Sequence, residues 1–208
     1  MTRQERALII LRELKKIYPE TQTFIHANSP WEFLVAVILT AQTTDKKVNE
    51  ITPALFHRFK TLDDYVTADI TEFESYIKQI GLYKSKAKYI LASAKMLANK
   101  FNGQVPKTMK ELLTLSGVGR KTANVILSEV HGIQEGIIVD THVIRLAHKF
   151  KLAKGKNADA IEKELLEIIP KEERFYFSNS LIAYGREHSP ARKKEAVDDI
   201  ISQALTMT

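Results

Sequence analysis

The stretch Leu115-Ser116-Gly117-Val118-Gly119-Arg120-Lys121-Thr122-Ala123-Asn124-Val125-Ile126-Leu127 concentrates the residue types that could do chemistry. Two glycines flank one apolar residue between a helical-looking segment, 109–114, and the start of a second helix. Glycine serves where a chain turns sharply or where its backbone must approach a ligand closely. A turn that feeds straight into a helix leaves free N–H groups and the positive end of the helix dipole facing outward, where they can hold a phosphate. Gly117, Val118, Gly119 and Arg120 are therefore candidate phosphate contacts. Lys121 follows at once. An amine is a nucleophile only when neutral, and a place near a helix start among Arg120 and other cations favours that form. The plainer readings are a tight helix–helix turn and a lysine that simply binds phosphate. A second chemical segment is Ile138-Val139-Asp140-Thr141-His142-Val143. Asp140 closes an apolar run at 137–139 and precedes a helical 141–150, so it is expected to cap that helix. A carboxylate fixed by its cap can also stabilise developing positive charge or accept a proton.

Taken whole, the 115–127 string resembles the helix–hairpin–helix motif of the DNA glycosylase superfamily named for that hairpin and for a downstream Gly/Pro-rich stretch with an Asp. In detail it is similar to the endonuclease III family. The 138–143 segment matches the family's catalytic Asp segment. Leu39-Thr40-Ala41-Gln42-Thr43-Thr44-Asp45 and Ile80-Gly81-Leu82-Tyr83-Lys84-Ser85-Lys86-Ala87 are also typical of it, so the likeness runs to about Gly185. The resemblance implies an all-α fold of two helical domains with a DNA-binding cleft between them. One would be a six-helix barrel over 21–135 carrying the hairpin, the other a domain joining 1–20 to 136–208.

The resemblance also implies a bifunctional DNA glycosylase and abasic-site lyase of base excision repair. Its partner would be double-stranded DNA containing oxidised pyrimidines, such as thymine glycol, or abasic sites. Lys121 would displace the base at C1′, form a Schiff base with the opened sugar and permit β-elimination of the 3′ phosphate. Asp140 would stabilise positive charge or help deprotonate the lysine. A stacked base must be flipped out before an amine can reach its sugar. The resemblance assigns Gln42 to the void left behind, and Leu82 with His142 to wedging and contact with the opposite strand. As ordinary residues these three would be a helix-surface amide, a loop anchor and a first-turn helix residue. Two other functions compete with this one: a mismatch-specific glycosylase of the same superfamily, and a noncatalytic module that clamps phosphates. Lys121 and the length argue against the first, and the joint presence of Lys121, Asp140 and Gln42 argues against the second.

The chain departs from the family in one respect. Endonuclease III proteins usually carry a four-cysteine loop for a [4Fe–4S] cluster just after a segment like 181–185, whereas this sequence has no cysteine. No cluster, no thiolate-bound zinc and no other metal is expected, the histidines showing no ligand spacing. A monovalent cation on hairpin carbonyls is possible by analogy. The terminal stretch 196–208 is expected to pack as an amphipathic helix where the cluster loop would lie, with Arg192, Lys193 and Lys194 keeping some of its positive charge.

The elements that must hold these residues read as helices almost throughout. Apolar positions recur at helical spacing, as in Leu34, Val37, Ile38 and Ala41, and strict alternation is rare, which predicts roughly ten helices and no strand. Ser29-Pro30-Trp31-Glu32 predicts a helix start with Ser29 as cap, Pro30 at the first position and Glu32 closing a capping box. The apolar 33–39 that follows predicts a central buried helix. Of the 208 residues, 31 are Lys or Arg and 25 Asp or Glu, a net charge of +6. Residues 84–156 hold 14 of those cations against 4 acids, while the remainder sums to −4. Such a basic block is the footprint of phosphate binding. Lys84, Lys86, Lys88, Lys149, Lys151, Lys154 and Lys156 are its candidate contacts. No apolar run approaches membrane-spanning length, and a monomer in the cytoplasm is expected, with no membrane partner.

Overall fold

The computed structural model describes residues 1–20, 24–189 and 199–206. Among them the chain is helical, without strands. The elements are α1 (Arg3–Ile17), α2 (Pro30–Thr40), α3 (Asp45–Arg58), α4 (Leu62–Val66), α5 (Ile70–Ile77), α6 (Tyr83–Lys100), α7 (Met109–Leu112), α8 (Arg120–His131), α9 (Thr141–Lys149), α10 (Ala158–Leu166), a 3-10 turn at Lys171–Glu173, α11 (Arg174–Glu187) and α12 (Ile200–Thr206). The chain is all-α. It carries more helices than apolar spacing predicts, because five- and four-residue helices such as α4 and α7 are too short to show a period. It divides into two compact units, Phe24–Ile133, and Met1–Thr23 with Gln134–Thr208.

The Phe24–Ile133 unit is built around α2. Eight of that helix's eleven residues are buried, and it packs against α3, α6 and α8. Burial on every side is what its all-round apolar sequence requires. Its start is held by Ser29 Oγ, which accepts from the Glu32 amide at 3.1 Å, with Pro30 in the first turn. Glu32 does not answer Ser29 as the box pattern predicts. Its carboxylate accepts from the Asn28 amide at 2.7 Å, one residue further out. At α2's flank the rings of Phe59, Tyr65 and Phe73 pack at a tilt with centroids 5.2–5.8 Å apart. The 18-residue α6 lays Ala87, Ile90, Leu91, Ala94 and Leu97 into the same core.

The second unit is organised on α11, where nine consecutive residues from Phe177 to Gly185 are buried. α11 packs on α9 and α1, and α12 packs on α1, with Ile201 fully buried. Arg3 ties α1 to the C-terminal end of α10 through Glu164 and Glu167, each at 3.0 Å. The described part of the terminal helix expected over 196–208 is α12. Arg192, Lys193 and Lys194 lie outside the described residues.

Candidate functional site

The hairpin between α7 and α8 needs glycine for two reasons at Gly117. Its φ is +77°, and an added Cβ would lie 2.8 Å from Tyr89 Cβ and 3.0 Å from the ring, so even alanine would force a shift. Ser93 Oγ donates to Ser116 O at 2.9 Å and Val118 is buried, which pins the turn onto α6. Gly119 is the N-cap of α8 and brings no side-chain cap; a Cβ there would meet nothing within 4 Å. The start of α8 thus lacks a side-chain cap, with the positive end of the helix dipole behind it. Arg120 and Lys121, the first two residues of α8, are exposed there.

Gln42 and Leu82 stand out by their backbone. Both are non-glycine residues with left-handed φ, +54° and +60°, and both are exposed, Leu82 by 58%. Such conformations are costly for a side chain and persist where surrounding structure enforces them. Leu82 is not the buried loop anchor of the plainer reading. The two turns are neighbours, since a Cβ on Gly81 would lie 3.9 Å from Gln42 O.

Lys84 and Lys88 are exposed on α6. Lys86 is not, and its assignment as a phosphate contact is corrected here. It is 3% exposed, and its Nζ donates to Leu39 O at 2.9 Å and to Thr43 Oγ1 at 3.0 Å. Burial pulls its ammonium down to about 8. Its position carried the signal: Lys86 continues the apolar stripe Ile90, Ala94, Leu97 at helical spacing, while Lys84 and Lys88 share another face. Lys149 is likewise engaged, with Asp199 as its carboxylate partner. Lys151, Lys154 and Lys156 are exposed.

Asp140 caps α9. Its Oδ1 accepts from the His142 and Val143 amides at 2.8 and 2.9 Å, which orients the carboxylate and leaves Oδ2 outside the cap. His142, half-buried in the first turn, packs directly on α11: a Cβ on Gly185 would lie 2.9 Å from His142 Cβ and Nδ1. One helical turn further on, Arg145 donates to Ser189 Oγ at 3.2 Å, to Gly185 O at 3.4 Å and to Ser189 O. His142, Arg145 and Lys149 thus form one stripe of α9 that meets α11 and the segment after it. Arg145 and Asp199 carried no motif signal in the sequence, where Gly185 marked only the end of the 181–185 segment.

Residues 35–171 match the HhH-GPD superfamily, base excision DNA repair proteins. Endonuclease III of Synechocystis sp. is 42% identical over 192 residues, 92% of this chain and 88% of that one. The chain belongs to the endonuclease III family. Among solved structures, a non-covalent endonuclease III–DNA complex matches with a TM-score of 0.91 at 37% identity, covering 98% of this chain and 95% of that one. A trapped endonuclease III–DNA covalent intermediate matches with a TM-score of 0.88 at 39% identity, covering 93% and 90%.

This endonuclease III family member does not fit the cluster that the resemblance implies. A [4Fe–4S] centre is held by thiolates, and the chain has no cysteine to supply them. Among the described residues, no group of three or more His, Asp or Glu side chains gathers that could hold a metal ion. Nor does any helix among them have the length and apolarity to cross a membrane.

Proposed function

We propose that this chain removes oxidised pyrimidines from duplex DNA and cleaves the resulting abasic site, with Lys121 as nucleophile and Asp140 as the charge that assists it. As an endonuclease III family member, it is a base excision repair DNA glycosylase and AP lyase that acts on DNA. The observation that carries the residue-level reading is the placement of Lys121. It is exposed on the first turn of α8, beside a glycine hairpin whose uncapped amides can hold a phosphate while the amine reaches the neighbouring sugar. The unprotonated amine attacks C1′, and the C1′–N bond breaks as the base leaves with its electron pair and takes up a proton. The sugar ring opens to a Schiff base with Lys121. Loss of a C2′ proton then expels the 3′ phosphate, and water releases the lysine. Asp140, its carboxylate oriented by the cap, takes the role that the family likeness gives it and opposes the positive charge forming as the glycosidic bond breaks. Gln42 enters the void left by the extruded base and Leu82 wedges against the opposite strand, roles suited to exposed side chains on enforced left-handed turns. The family relatives support the reaction class. The missing thiolates support a version of it that runs without an iron–sulfur cluster.

Borohydride trapping on duplexes carrying thymine glycol or an abasic site tests the assignment. The wild type should give a covalent adduct with both, and Lys121→Ala should give none while still binding DNA. An adduct that survives in Lys121→Ala would move the nucleophile to another amine.

A further inference from the structure

Lys86 is a buried cation that the proposed chemistry does not use. Both of its acceptors are neutral oxygens, Leu39 O in the last turn of α2 and Thr43 Oγ1 in the turn just after that helix. That end is irregular. In a continuing helix the Thr43 amide would serve Leu39 O, but it goes to Thr40 O at 2.9 Å, and the Ala41 amide makes only a 3.4 Å bond to Ile38 O. Leu39 O is therefore one of the orphan carbonyls of the helix C-terminus, buried where water cannot satisfy it. The Lys86 ammonium fills that need at the negative pole of the α2 dipole. Its second bond, to Thr43 Oγ1, holds the residue directly after Gln42.

The same residue also holds the other turn. The Lys86 main-chain N–H donates to Leu82 O at 3.0 Å, the bond that starts α6 immediately after the left-handed Leu82. One lysine thus bonds to both flanks of a pair of neighbouring turns, each led by an exposed residue with positive φ. Keeping a lysine here is costly, because burial works against its charged form. A methionine or leucine would fill the stripe above Ile90 more cheaply if packing were all that mattered.

We propose that Lys86 is a positioning residue that locks the Gln42 turn to the Leu82 turn, so that the two side chains enter a duplex as one rigid wedge. This rests on the reading of Gln42 as the residue that enters the void of the extruded base and of Leu82 as the wedge beside it. Rigidity matters because a wedge that yields lets the base restack, and the cost of extrusion is then no longer met at the moment of attack. An intact lesion must be pulled from the stack, whereas an abasic site has no base to extrude. The two substrates therefore depend unequally on the wedge.

The test compares wild type, Lys86→Met and Thr43→Val in single-turnover excision of thymine glycol and in single-turnover cleavage of a preformed abasic duplex. Unfolding midpoints are measured alongside. Lys86→Met should slow excision by about tenfold or more, with a several-fold smaller loss on the abasic duplex. Thr43→Val, which keeps the branched shape and removes only the hydroxyl, should shift the same ratio in the same direction by less. Equal losses on both substrates would mean a merely structural lysine and overturn the proposal, as would wild-type excision by Lys86→Met. A ratio unmoved by Thr43→Val while Lys86→Met shifts it would also overturn the two-turn clamp. If the wild type itself neither excises thymine glycol nor cleaves the abasic site, the functional reading falls first and the wedge with it.

Discussion

Asp140 separates two roles that one carboxylate can carry. As an N-cap it satisfies two α9 amides through Oδ1, and asparagine caps a helix about as well as aspartate. Asp140→Asn should therefore leave the unfolding midpoint close to wild type. The charge that opposes a forming oxocarbenium is lost in the same change, so single-turnover base release should fall by about 10²-fold. A variant that unfolds early would make Asp140 chiefly structural, and one that releases base at the wild-type rate would remove it from the chemistry. Asp140 was legible in the sequence because both of its roles leave a local mark, an apolar run ending in an acid just before a helix. Lys121 was legible for the same kind of reason. Lys86 was misread because counting charge along a chain ignores which face of a helix each charge occupies, and the stripe with Ile90, Ala94 and Leu97 decides that question.

At the level of elements, α12 shows how a helix too short to stand alone is held. Seven residues form little helix in isolation. Asp199 precedes them and binds at every turn: Oδ1 accepts from the Ser202 amide at 3.0 Å and from Tyr184 OH at 2.5 Å, and Lys149 pairs with Oδ2. Burial alone would raise the carboxyl's proton affinity. The Lys149 ammonium, the Tyr184 hydroxyl and the Ser202 amide outweigh that and hold it below the ordinary aspartate value. A group depressed on folding contributes its stability in full above the unfolded value, and loses it as the pH falls through the folded one. Asp199→Asn should thus cost about 2–3 kcal/mol in urea unfolding at pH 7, where it removes the buried charge that Lys149 and Tyr184 hold. The gap from wild type should close as the pH drops below the ordinary aspartate range. An equal gap at pH 7 and in acid would show that shape, not charge, anchors α12. None of this could be read from spacing, since Lys149, Tyr184 and Asp199 lie on three separate elements. The helices themselves were readable wherever an apolar stripe runs three turns or more, as in α2 and α6. The shortest ones were not, because their ends are fixed by caps such as Thr61 and Thr108 and not by periodicity.

Across the whole molecule the net charge of +6 understates the basic block, and the block's own formal charge overstates what it can offer a duplex. Of the 14 cations in 84–156, Lys86 spends its ammonium on Leu39 and Thr43, Lys149 on Asp199, and Arg145 on Gly185 and Ser189. A cation committed inside the protein releases no counterion when DNA binds, so it adds nothing to the salt dependence of affinity. An exposed one that meets a phosphate adds about 0.9 to the slope of log K against log salt. Lys84 and Lys86 lie two residues apart and carry the same formal charge, yet only Lys84 is exposed. Binding isotherms on an undamaged duplex from about 50 to 200 mM salt should therefore fall steeply for wild type. Lys84→Ala should reduce the slope by about 0.9, whereas Lys86→Met should leave it unchanged. A slope reduced equally by both would mean that Lys86 leaves its buried bonds to meet DNA. The clamp between the Gln42 and Leu82 turns would then open on binding, the reverse of what a rigid wedge requires.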